Sequence, residues 1–141
     1  MTVYVDSSFL VSLYLTDRHS PVSRQRVSTT SGMWLTPLHN AEWAHALGQH
    51  IFRKSLSSAE AQQMYEQFES DKAAGLWLET RIPDQSFELC AELARRYGPK
   101  LGSRTLDSLH VACALELNAE KFWTFDERQA KLAKAEGLKI T

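Results

Sequence analysis

Cysteine is scarce in this 141-residue chain. Cys90 and Cys113 are the only two, both fall within helical patterns, and they lack metal-ligand spacing. That excludes a disulfide framework and a zinc ribbon and leaves two reduced, buried thiols. Glycine (6) and proline (4) are also few. There is no linker or low-complexity segment, no internal repeat, and no glycine-rich loop to cradle phosphates. Charge of either sign is not in excess, with 16 basic against 17 acidic residues. A global basic field is therefore missing, and any surface for a polyanion must be local. No apolar run approaches the ~20 residues of a membrane span. The first residues lack the long apolar core of a signal peptide, since Asp6 interrupts it. The expectation is a cytoplasmic protein without a membrane partner. The five histidines form no ligand set: His45 and His50 are not at zincin spacing, and no neighbouring Glu completes one. Ser7 and Ser8 have no nucleophile-elbow glycines, so a serine hydrolase is poorly supported.

What is present is an alternation of short apolar strands with longer helical patterns, the signature of an α/β domain with a mostly parallel sheet. Strands are expected at Thr2 to Val5, Met33 to Thr36, Leu76 to Thr80, Lys121 to Thr124 and, after Gly137, Leu138 to Ile140. Ser7 to Leu15 reads as a helix with Phe9, Leu10, Leu13 and Tyr14 on one face. Ser20-Pro21 reads as a helix start with Ser20 as the cap. Pro37 opens a helix to Phe52, and Ser57-Ser58-Ala59-Glu60 matches a capping box for a helix towards Ala74 that Gly75 ends. These two helices form a hairpin. Further helices are expected from Pro83-Asp84 to near Tyr97-Gly98-Pro99, from Arg104 to Leu117 (with Leu106, Leu109, His110, Cys113 and Leu117 spaced for burial) and from Glu127 to Glu136. One domain over residues 1–141 is the reading, near the usual size for a single core.

Four carboxylates stand where apolar runs meet loops or helix starts: Asp6, Glu42, Asp107 and Asp126. Asp6 and Asp126 each follow a strand, the end at which open parallel sheets bind ligands, yet each is also a good helix cap. Glu42 sits between Ala41 and Trp43 in an apolar stretch, where a helix N-terminus would also favour it. Asp107 stands in the near-apolar run Leu106 to Leu115. A carboxylate there costs several kcal/mol unless paired or metal-bound, with Arg104 as the structural alternative partner. If the fold gathers the four acids, their repulsion raises pKa values or recruits a divalent cation, which favours metal-dependent phosphodiester chemistry.

The successive segments Val3-Tyr4-Val5-Asp6-Ser7-Ser8-Phe9-Leu10, Asn40-Ala41-Glu42-Trp43, Arg104-Thr105-Leu106-Asp107-Ser108-Leu109-His110-Val111-Ala112 and Phe122-Trp123-Thr124-Phe125-Asp126 resemble the motifs of PIN-domain ribonucleases. Leu132 to Leu138 is similar to the tail of that family. The resemblance runs from Thr2 to Ile140 and is nearest to the VapC-type toxins of type II toxin–antitoxin pairs. It implies a PIN-like parallel sheet whose strand ends gather Asp6, Glu42, Asp107 and Asp126 as catalytic and metal-holding acids around Mg²⁺ or Mn²⁺. Ser7 and Thr124 match auxiliary hydroxyl positions. The activity implied is endoribonuclease cleavage of RNA, restrained by a cognate antitoxin, in a homodimer. A further acid or Asn often follows the last Asp in the family; Glu127 and Gln129 occupy that stretch here.

A polyanion approaching an acidic pocket needs cations at its rim. Arg104, one turn before Asp107, and Lys100 in the adjoining loop are the substrate-binding candidates, ahead of Arg53 and Lys54. Trp34, Trp77 and Trp123 fall in strands and read as core, whereas Trp43 reads as more open. The hairpin residues Trp43, Leu47, Ile51, Phe52, Met64, Tyr65 and Phe68 are expected to include a partner surface. Two other functions compete. One is a non-catalytic PIN-like module for RNA or protein. The other is a HAD-type phosphatase with Asp6 as nucleophile, weakened because its second Asp is replaced by Ser8.

Overall fold

The computed structural model describes residues 2–141, which fold into two compact units. One unit comprises the N-terminal residues up to Asp6 together with Arg81–Thr141, and the other is Ser7–Thr80.

In the first unit, β1 (Val3–Val5) pairs in parallel with β4 (Lys121–Trp123), with Val3 opposite Lys121 and Val5 opposite Trp123. All three β1 side chains are buried, as expected of a strand covered on both faces. Helices α5 (Ser86–Leu101), α6 (Thr105–Glu116) and α7 (Glu127–Ala135) complete this unit and pack on one another. Helix α6 buries every residue from Ser108 to Ala114, so it is a core helix rather than an amphipathic one. Its His110 is packed and hydrogen-bonded, with Nδ1 2.8 Å from the Tyr4 hydroxyl, and Tyr4 in turn stacks on Phe122. Cys90 and Cys113 are free and buried, and burial raises both thiols above the ordinary range.

In the second unit, β2 (Met33–Leu35) pairs in parallel with β3 (Trp77–Glu79). Around them lie α1 (Ser7–Tyr14), α2 (Ser20–Val27), α3 (Pro37–Phe52) and α4 (Ser58–Ala73). Thr36 precedes α3, and His39 Nδ1 accepts its backbone amide at 3.0 Å. The box at the start of α4 forms as its sequence requires: Ser57 Oγ accepts the Glu60 amide at 3.1 Å and Glu60 Oε1 accepts the Ser57 amide at 3.0 Å. Tyr14, Trp43, Phe68 and Trp77 make the aromatic centre, with ring centroids 5.4 to 5.9 Å apart. Trp77 Nε1 donates to the Tyr14 hydroxyl at 2.7 Å, and that hydroxyl donates to Asp71 Oδ2 at 2.7 Å. Burial, first of all, holds the Tyr14 phenol protonated well beyond the ordinary tyrosine range.

Both strand pairs are parallel and alternate with helices, as the α/β reading requires. Several local expectations are corrected. Trp43 is core, 1% exposed, and Leu47 and Phe68 join it, so these hairpin residues offer no partner surface; Phe52, 78% exposed, does project. Trp34 is half-buried rather than core. Ser20 lies inside α2, whose cap is His19; its hydroxyl instead ties the helix to α1 by donating to the Ser12 carbonyl at 2.7 Å. Leu138 to Ile140 is no strand: Lys139 makes one isolated bridge to Lys121. Leu106 is exposed. Helix α5 starts at Ser86 and runs through Gly98 and Pro99, ending at Gly102 in the left-handed conformation (φ +66°).

Candidate active site

The first unit brings three of the four predicted acids to neighbouring positions. Asp6 follows β1, and its amide donates to the Trp123 carbonyl at 3.1 Å, which extends the β1–β4 ladder by one residue. Its side chain is buried, with the residue 6% exposed. Thr124, the residue after β4, is the hub. Thr124 Oγ1 lies 2.9 Å from Asp6 Oδ2 and 2.7 Å from Gln129 Oε1, and it accepts the Asp126 amide at 3.0 Å. A hydroxyl carries one proton, so Asp6 and Gln129 share a single donor there.

Asp126 caps α7: its Oδ1 accepts the Gln129 amide at 2.9 Å. The capping reading is thus correct for Asp126, and it occupies one carboxylate oxygen of two. Asp107 lies in the first turn of α6 and is half-buried. Burial, and after it the negative charge of Asp126, push its carboxyl above the usual range, while a backbone hydrogen bond involving Arg104 and the charges of Arg104 and His110 pull it down. Repulsion between two carboxylates is the electrostatic sign that Asp107 and Asp126 face a common space. That space is a cleft of about 340 Å³ lined by Gly102, Arg104, Asp107, Asp126, Glu127 and Arg128.

Gln129 has a place in this site that sequence reasoning does not assign to it. It is 1% exposed, and its Nε2 donates to the Asp107 carbonyl at 3.2 Å while its Oε1 meets Thr124. One buried amide therefore touches the hydroxyl that holds Asp6 and the backbone that carries Asp107. The only sequence signal is a polar side chain on the face of α7 that also carries the buried Leu132 and Ala133.

The other two predicted residues lie in the second unit. Ser7, buried, donates from Oγ to Glu42 Oε1 at 2.7 Å, and Glu42 is half-buried one turn into α3. Ser7 thus orients Glu42. Lys100, in the last turn of α5, is exposed and is not among the residues lining the cleft, whereas Arg104 is. Arg53 and Lys54, also exposed, follow α3.

Among the described residues, no three His, Cys, Asp or Glu side chains stand as a ready-made cage for an ion. The donors of the cleft nevertheless suit a hard cation. They are carboxylate oxygens, two of them in mutual repulsion, and Mg²⁺ characteristically takes one or two carboxylates and keeps several waters. An open, two-carboxylate seat at Asp107 and Asp126, with Asp6 beside it through Thr124, fits that habit.

The PIN domain family model matches residues 3–135, and the chain belongs to that family. Solved structures with similar folds cover nearly all of it. VapC20 from Mycobacterium tuberculosis, a sarcin-ricin loop cleaving toxin, is 11% identical with a TM-score of 0.67 and 98% of both chains covered. VapBC2 from Rickettsia felis, bound to a DNA fragment from its promoter, is 15% identical with a TM-score of 0.67, covering 100% of this chain and 98% of its own. FitAcB from Neisseria gonorrhoeae is 15% identical with a TM-score of 0.69, covering 98% of this chain and 95% of its own. At these identities the likeness is one of fold. The search of curated proteins returned no match.

Proposed function

We propose that this chain is a divalent-metal-dependent endoribonuclease and the toxin of a type II toxin–antitoxin pair. The observation that carries the nuclease reading is the linked set of Asp6, Thr124, Asp126, Gln129 and Asp107 beside a cleft that also holds two guanidinium groups. Asp107 and Asp126 would hold Mg²⁺ or Mn²⁺, with Asp6 supporting it. Glu42, oriented by Ser7, enters as the fourth acid on the sequence resemblance. The cation when bound supplies neutralisation of charge at phosphorus and a water of lowered pKa. The chain's own part is positional. Thr124 fixes the Asp6 carboxylate, Gln129 fixes Thr124 and the start of α6, and the Asp126 cap fixes α7. Attack by water would leave a 5′-phosphate and a 3′-hydroxyl, without using the substrate's 2′-hydroxyl. The toxin role, with an antitoxin as partner, is supported by family membership and by the company of the VapC20, VapBC2 and FitAcB folds.

The test is cleavage of a mixed single-stranded RNA by the purified chain in Mg²⁺ or Mn²⁺. Activity should vanish with chelator, return with cation, and fall by roughly 10²-fold or more in Asp6→Asn and Asp107→Asn. Cleavage that survives chelation overturns the metal mechanism. RNA binding with no cleavage by the unaltered chain would leave a binding module instead.

A further inference from the structure

Two exposed cations, Arg104 and Arg128, line the acidic cleft from two different helices. Arg104 is the N-cap residue of α6, three before Asp107, and Arg128 is in the first turn of α7, two after Asp126. Arg128 reaches back over the end of α5: its Nη1 lies 3.9 Å from where a Cβ on Gly102 would stand. Both arms thus start at helix N-termini, and at that of α7 the Asp126 carboxylate already accepts one of the amides.

Of the other three arginines of this unit, two are in ion pairs and, among the described residues, the exposed Arg95 is in none. Arg96 pairs with Glu136 at 3.2 Å and Arg81 with Asp84 at 3.3 Å. Among the described residues, neither Arg104 nor Arg128 is in an ion pair within 4 Å, although Asp107, Asp126 and Glu127 share their cleft. Guanidiniums not held in ion pairs by the nearby carboxylates keep their donor forks available, and a planar fork suits two phosphate oxygens at once. Without a cation the cleft carries three carboxylates against two guanidiniums and repels a polyanion. One divalent ion reverses that balance.

We propose that Arg128, together with Arg104, forms a two-pronged clamp for RNA backbone phosphates flanking the phosphodiester at the acids, and that Arg128 sets substrate affinity. This rests on the nuclease reading above. The ligand class is an unpaired RNA strand contacted through its phosphates, so recognition at these two points is independent of base sequence.

The experiment measures steady-state cleavage, and binding of a fluorescent single-stranded RNA in Ca²⁺, for the unaltered chain, Arg128→Ala, Arg128→Lys, Arg104→Ala and, as a surface control, Arg95→Ala. Arg128→Ala is expected to raise KM and the Ca²⁺-supported Kd about tenfold, the loss of one charge-assisted contact, with kcat within about twofold. The slope of log K against log salt should fall by about 0.7, the value for one lost phosphate contact on a single strand. Arg128→Lys should recover the salt slope but only part of the affinity, since an ammonium lacks the fork. Unchanged KM and salt slope in Arg128→Ala, or an equal loss in Arg95→Ala, overturns the clamp. An equal affinity loss on a DNA strand of the same sequence supports phosphate contact, whereas a loss confined to one base sequence overturns it. Inactivity of the unaltered chain with intact RNA binding would fail the nuclease reading, and the binding arm would still judge the clamp.

Discussion

Asp107 illustrates what a single residue reveals and what it conceals. Its apolar surroundings are legible in the sequence, and burial does raise its pKa, with Asp126 adding to the effect. A carboxyl whose folded pKa lies above its unfolded value weakens the native state wherever it is ionised in both. That penalty is in full force above the folded pKa and disappears below the unfolded one. Asp107→Asn, though it lowers RNA cleavage, should therefore raise Tm at neutral pH in chelator. The gain should shrink as pH falls through the Asp107 titration, where the unaltered carboxyl takes up its own proton. Thermal melts from pH 7.5 down to about 4 check this, since an unperturbed Asp titrates near that lower limit. A lower Tm for the variant at neutral pH would mean that Asp107 is a stabilising partner of Arg104. Gln129 and Arg128 are not legible in the same way. Their roles depend on which acceptor lies opposite a turn of α7, and a Gln or Arg in a polar helix start has no apolar contrast to mark it.

At the scale of elements, the alternation of strand and helix is readable because period and length differ so strongly between Val3-Tyr4-Val5 and the sixteen residues of α4. Capping chemistry is readable too. Ser57 and Glu60 exchange backbone hydrogen bonds as their spacing requires, and the Ser57 amide holds the Glu60 carboxylate below its ordinary pKa. Ser57→Ala should cost ~1 kcal/mol in chemical denaturation while leaving nuclease activity unchanged, because α4 carries none of the proposed site. A loss of activity at unchanged Tm would tie α4 to catalysis and contradict that assignment. Boundaries fail where tertiary packing outweighs a local signal. Gly98-Pro99 reads as a stop, yet proline in the last turn removes only one i−4 hydrogen bond, and α5 gains by burying Cys90 and Leu93 upstream. The stop falls at Gly102, the residue whose positive φ favours glycine and whose place at the cleft gives Arg128 its path. The failed last strand has the opposite cause: the Phe122 and Lys139 amides each find one carbonyl across the gap, and a single bridge is too little to extend.

For the whole molecule, a formal charge of −1 hides a local imbalance. The acids of the cleft repel one another in the metal-free protein, and a native-state cation would remove that repulsion. Binding to the folded chain alone stabilises it by RT ln(1 + [L]/Kd), which is ~2.7 kcal/mol at a hundredfold excess over Kd. For a chain of this size that corresponds to roughly 5–10 °C in Tm. Mn²⁺ and Mg²⁺ should therefore raise Tm in a saturable way, and the same ionic strength supplied as KCl should not. Asp107→Asn and Asp126→Asn should respond weakly or not at all. Asp107→Asn should begin above the unaltered chain in chelator and end below it in saturating Mn²⁺, and that crossing would separate a metal seat from general charge screening. Parallel curves, with the variant rising as much as the unaltered chain, would place the cation elsewhere and remove the physical basis for a nuclease at these acids. The test needs no RNA, so it judges the metal seat independently of any choice of substrate.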